Sequence, residues 1–88
     1  MTLHHWDFFG PDARKTAEHF QKHVGEFAAT LSIRIEEEGF FSASPVHVCY
    51  WIAIEDEPMA ELTQKKLRPK RSMSKQEHIR LIADVGQG

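Results

Sequence analysis

Between Asp12 and Leu31, the apolar residues Ala13, Ala17, Phe20, Val24, Phe27, Ala28 and Leu31 recur every three or four positions, and Arg14, Lys15, Glu18, Gln21, Lys22 and Glu26 fall outside that stripe. This period and one-sidedness predict an amphipathic helix with a single face turned to the core. Pro11 suits a first helical turn, where its missing N–H would have no partner anyway, and Asp12 adds negative charge at the positive end of the helix dipole. Gly25 costs about 1 kcal/mol relative to alanine inside a helix, so it is expected to serve close packing.

The flanking segments read as strands. Leu3 to Phe9 places His4, Trp6 and Phe8 on one face and Leu3, His5, Asp7 and Phe9 on the other, and Gly10-Pro11 ends it. Ser32 to Ser42 is strand-like but interrupted by Glu36-Glu37-Glu38-Gly39, which predicts a bulge or break near Gly39. After the turn Ala43-Ser44-Pro45, the run Val46 to Ile54 is apolar on both faces. Val46, Val48, Tyr50, Ile52 and Ile54 lie on one side, with His47, Cys49, Trp51 and Ala53 on the other. Such two-sided character suits a central strand.

Asp56-Glu57-Pro58 predicts a short second helix that carries Met59, Leu62 and Leu67 inward until Pro69 stops it. Residues 64–74 form a basic loop. The capping box Ser74-Lys75-Gln76-Glu77 then opens a segment, 75–88, read as a helix with Ile79, Ile82 and Ala83 inward and Gly86 at its end. Its β-branched residues leave a strand from Arg80 to Val85 as the alternative.

The order β-α-β-β-α, followed by a short helix or a fourth strand, predicts a single α+β domain over residues 1–88, related to the ferredoxin-like two-layer sandwich. Right-handed crossovers make the first two strands parallel, with the third inserted between them and antiparallel to both. One long helix covers one sheet face. The other carries Trp51, Cys49 and Phe9, and needs the C-terminal segment, a second copy or a ligand to cover it.

Composition excludes several classes. With 41% hydrophobic and 27% charged residues among 88, the chain is too apolar to be disordered and has room for one core only. No apolar run reaches the length of a membrane span, and the first residues lack the pattern of a signal peptide. Cys49 is the only cysteine, so an intramolecular disulfide is excluded and a cytoplasmic setting is expected. Residues 1–62 hold 4 Lys/Arg against 11 Asp/Glu, whereas 63–88 hold 7 against 2. An acidic body with a basic tail invites docking on itself, on a second copy or on a polyanion.

Three groups of residues carry candidate chemistry. His5 and Asp7 on the first strand and His47, Cys49 and Trp51 on the third share one sheet face. A thiol, an imidazole and an orienting carboxylate are the elements of an activated nucleophile, and the same groups could bind a metal. No oxyanion loop or glycine-rich anion cradle accompanies them. His19 and His23, one helical turn apart, form a two-imidazole metal candidate without the His-Glu-x-x-His order of zinc hydrolases. Lys65, Lys66, Arg68, Lys70 and Arg71 form a polyanion candidate, with no RNA-recognition signature beside it.

None of these sets is complete enough to define a reaction. The chain is therefore expected to be a non-enzymatic binding or regulatory module acting as a homodimer, with no cofactor and no membrane association. Metal binding, thiol chemistry and nucleic-acid binding are the alternatives.

Overall fold

The computed structural model describes residues 1–87, with the backbone alone for 85–87. Its elements are β1 (Thr2–Phe9), α1 (Ala13–Leu31), β2 (Glu37–Ser44), β3 (His47–Ile54), α2 (Glu57–Leu67), β4 (Arg71–Ser74) and α3 (Lys75–Gln87). They build a mixed α+β domain around one four-stranded sheet of order β2-β3-β1-β4, in which every neighbouring pair is antiparallel. β3 is inserted between β1 and β2, as its two apolar faces predict. Val48, Tyr50, Ile52 and Ile54 are buried towards one layer, and Cys49 and Ala53 towards the other.

The first layer is α1 and α2. Ala13, Ala17, Val24 and Ala28 of α1 are buried, with Phe20 and Phe27 packed at the margin of a core that also holds Trp6, Tyr50 and Ala60. The Trp6 ring sits 5.0 Å from Phe20 and is stacked on Tyr50 at 5.9 Å, offset geometries that aromatic pairs favour. The Trp6 indole N–H donates to the Leu67 carbonyl at 2.9 Å, tying the end of α2 to β1. His4 belongs to this layer and is fully buried, with Nδ1 at 2.7 Å from Ser72 Oγ and Nε2 at 2.9 Å from the Ala60 carbonyl.

Several details depart from the expectations. Leu31 closes the apolar stripe but is exposed, because α1 ends there in a left-handed Ser32 and Ile33 takes the buried position with its N–H on the Ala28 carbonyl. Asp12 is the residue before α1, and its side chain caps no N–H. Around Gly25 a Cβ would meet nothing within 4 Å, so this glycine serves no close packing. β2 starts at Glu37 rather than Ser32, and its irregularity lies between Ser42 and Ser44 instead of at Gly39. In α2 the buried residues are Ala60 and Thr63, with Met59 and Leu67 at the edge of the core.

The largest differences lie after Leu67. The basic loop is interrupted by β4, whose Thr2↔Ser74 to His5↔Arg71 register extends the sheet on the far side of β1. The Ser74 capping box forms as expected, with Ser74 Oγ 3.0 Å from Glu77 Oε1 and 3.3 Å from the Glu77 N–H. The backbone from Arg80 to Val85 is helical, which removes the strand alternative, and α3 continues past Gly86 to Gln87. Among residues 75–84 of α3 it is His78 that is buried, while Ile79 and Ala83 are exposed. α3 lies on the sheet face opposite α1 and α2, so the two-layer expectation gains a third layer.

Candidate functional site

The alternation of β1 and β3 fixes what lies beneath α3. Leu3, His5, Asp7 and Phe9 stand opposite Ala53, Trp51, Cys49 and His47 in register, all on one face. Phe41 and Gly39 of β2 extend it on one side, opposite Cys49 and Trp51, and Arg71 and Met73 of β4 on the other. The five residues singled out from sequence are thus brought together, and the structure adds Arg71 and His78.

The polar groups form a connected line. His78 Nδ1 of α3 lies 2.9 Å from His5 Nε2, and the other nitrogen of His5 is 3.6 Å from Cys49 Sγ. Arg71 donates to the same sulfur at 3.7 Å and grips Asp7 with two parallel hydrogen bonds of 2.7 and 2.8 Å. His47 Nε2 comes within 3.2 Å of Asp7 Oδ1, but out of line for a hydrogen bond. Trp51 packs against the His78 ring at 4.3 Å, and Phe9 stacks on His47 at 4.4 Å.

The electrostatics follow from burial. His5 has no exposed surface, and desolvation, with His78 and Arg71 adding to it, pushes its pKa down to about 4. His78 is lowered by burial as well. Burial, reinforced by the Asp7 charge, pushes the Cys49 thiol up to about 12 against the opposing pull of Arg71. The Asp7 carboxyl is held below its ordinary value, chiefly by its hydrogen bonds from Arg71. At neutral pH the pair is therefore a thiol beside a neutral imidazole. A working nucleophile needs the opposite, a thiolate beside an imidazolium.

Trp51 also explains Gly39. A Cβ on Gly39 would stand 2.9 to 3.1 Å from the indole atoms, and His78 closes the other side of that ring. Among the described residues no three His, Cys, Asp or Glu side chains cluster in a way that could hold a metal ion. Beside the network, Arg71, Met73, Glu77, Arg80, Leu81 and Asp84 line an open groove of about 330 Å³ between β4 and α3. Its two arginines and two carboxylates balance, so it selects no single sign of ligand.

The remaining candidates lie elsewhere. His19 and His23 are exposed on α1, with their Nε2 atoms 3.0 Å apart. The basic run does not act as a unit, because Arg71 is held by Asp7 while Lys65 and Lys66 end α2 and Arg68 caps it in the left-handed region. None of Lys65, Lys66, Arg68 and Lys70 takes part in an ion pair among the described residues.

Strand register turns the uneven charge along the chain into a polarity of the folded molecule. Glu36 donates to Ala53, Glu37 faces Ala53 and Glu57 meets Thr2, so Glu36 to Glu38 and Glu55 to Glu57 gather at the Thr2 end of the sheet. Arg34, Lys75 and the N-terminal ammonium offset them in part. α2 runs away from that end, bringing Lys65, Lys66 and Arg68 to Trp6 and Lys70 to His5, midway along β1. Exposed apolar side chains occur at both ends, with Phe9 (71% exposed) and Val46 at one, and Leu31 and Met1 at the other.

No helix of the described residues is long and apolar enough to cross a membrane. Comparison of the chain with protein families, curated proteins and solved structures finds no match.

Proposed function

We propose that this chain is a small non-enzymatic binding module that works as a two-fold homodimer, with the basic end of each copy lying beside the acidic end of the other. The observation that carries this reading is the segregation of Lys65, Lys66, Arg68 and Lys70 from Glu36 to Glu38 and Glu55 to Glu57 along the sheet, with exposed Phe9 and Val46 at one end and Leu31 and Met1 at the other. A two-fold arrangement pairs unlike ends twice and closes on itself at two copies, whereas a head-to-tail contact would add further copies into a ring or a fibre. The sheet face under α3 is occupied, so it is not the surface on offer. The buried thiol and the neutral His5 support a structural rather than a catalytic role for the Cys49 network.

The strand topology supports an architecture related to the ferredoxin-like sandwich: two crossover helices lie on one sheet face, and each joins parallel strands separated by one antiparallel strand. A lone reduced cysteine suits a cytoplasmic setting.

Sedimentation equilibrium of the full chain at micromolar concentration tests the dimer. A two-chain mass at low salt that falls towards one chain near about 0.5 M salt is expected, because exposed charges are then screened within a few ångströms. A one-chain mass at every salt concentration contradicts it.

A second reading, polyanion binding, rests on Lys65, Lys66, Arg68 and Lys70, which form no ion pair among the described residues. It predicts oligonucleotide binding that weakens steeply with salt and disappears when Lys65, Lys66, Arg68 and Lys70 are neutralised.

A further inference from the structure

The geometry points to a bidentate site for a divalent transition metal on the outer face of α1, with His19 and His23 as the ligands and Glu26 as the group that orients one of them. The two side chains are one helical turn apart on a rigid, nineteen-residue helix, and their Nε2 atoms converge to 3.0 Å. One Nε2 carries a proton that it donates to the other. His23 Nδ1 faces Glu26 Oε1 at 3.5 Å. That placement favours the tautomer of His23 with its proton on Nδ1 and its Nε2 lone pair free, the arrangement by which a carboxylate behind the ring prepares a metal-bound histidine. His19, exposed to water, reaches the same tautomer by moving its proton from Nε2 to Nδ1, so both lone pairs can turn to one ion without net proton release.

Two imidazole nitrogens suit Ni(II), Cu(II) and Zn(II) alike. With metal–nitrogen bonds of about 2.0 to 2.1 Å, a right-angled pair of ligands is separated by about 2.9 Å and a tetrahedral pair by about 3.3 Å. The 3.0 Å hydrogen-bond separation is already close to both values, so a small turn of the two exposed rings brings their lone pairs onto one ion. No third protein ligand approaches among the described residues, so water or a group from outside completes the shell. The site therefore binds reversibly, and the helix supplies the advantage of two ligands already held at one spacing.

Ni(II) alone, titrated calorimetrically into the full chain at pH 7.5, tests this. One-to-one binding is expected, with affinity falling at least about tenfold in both His19→Gln and His23→Gln, because either change leaves a single imidazole. Glu26→Gln should weaken binding by a smaller factor. All three side chains are exposed, so the variants fold, and thermal melts give an independent readout. Ni(II) raises the melting temperature of the parent chain more than that of either histidine variant at the same concentration. Equal binding by parent and histidine variants, or no saturable binding by the parent, overturns the assignment.

Discussion

His5 of β1 and His78 of α3 face each other within the sandwich, Nε2 of the first 2.9 Å from Nδ1 of the second, and together with Trp51 they join the third layer to the sheet. One shared proton satisfies both nitrogens when the rings are neutral. A proton added at the accepting nitrogen sets N–H against N–H, and charging both rings places two cations in contact beside the Arg71 guanidinium. Glu37 favours the charging of His78, whereas burial and the Lys75 charge oppose it.

Acid should therefore loosen α3 first. Below about pH 6.5 the unfolded chain takes up protons at His5 and His78, and at His4, more readily than the folded chain, where burial lowers all three pKa values. Stability must fall as the pH drops from about 6.5 towards 4, with about 2 to 3 kcal/mol lost through His5 alone at the lower limit. Urea unfolding between pH 7.5 and 4.5 checks this, with His78→Gln expected to flatten the slope. A stability that does not change across that range contradicts the buried pair.

Gly39 and Gly25 should respond oppositely to alanine. Gly39→Ala drives a methyl group into the Trp51 indole, which His78 backs, and should cost about 1 to 3 kcal/mol with a change in tryptophan emission. Gly25→Ala meets open space on a helix and should gain about 0.5 to 1 kcal/mol. Chemical denaturation of both variants compares them directly.

The Asp7–Arg71 pair predicts strong coupling. The Asp7 carboxylate is 6% exposed and receives both guanidinium hydrogen bonds, so Asp7→Asn should cost about 2 to 3 kcal/mol, much of it from stranding a half-buried cation. Replacing both, as Asp7→Leu with Arg71→Met, should recover most of the loss. A double-mutant cycle with no interaction energy would show the pair to be inert.

Cys49 should be unreactive in the folded chain. A buried thiol whose pKa is pushed up to about 12 offers almost no thiolate at pH 8, so iodoacetamide should modify it more than about a hundredfold faster after unfolding in urea. Rapid alkylation of the folded protein would restore the nucleophile reading.

β1, α1 and β3 were legible in the sequence because each carries a full period of apolar residues. The face shared by His5, Asp7, His47 and Cys49 then followed from alternation alone. β4 was not legible, since Arg71-Ser72-Met73-Ser74 offers one apolar side chain and pairs with β1 on a single edge. Without that strand, Arg71 read as one more cation of the basic run, although Asp7 holds it. His78 was hidden because a histidine does not mark a helix face, and Ile79 beside it drew the inward assignment. Ile33 and Ile35 suggested an early start for β2. They instead pack as irregular chain against the core after the left-handed turn at Ser32.

The dimer is tested most directly by recording backbone amide NMR spectra of the full chain from about 10 µM to 1 mM at low salt. The account predicts concentration-dependent shifts at both ends of the sheet together, at Phe9, Val46, Lys65 and Lys66 and at Leu31, Glu36, Glu37 and Glu38, with the shifts reversed by added salt. Spectra that do not change with concentration, or shifts confined to one end, would contradict it.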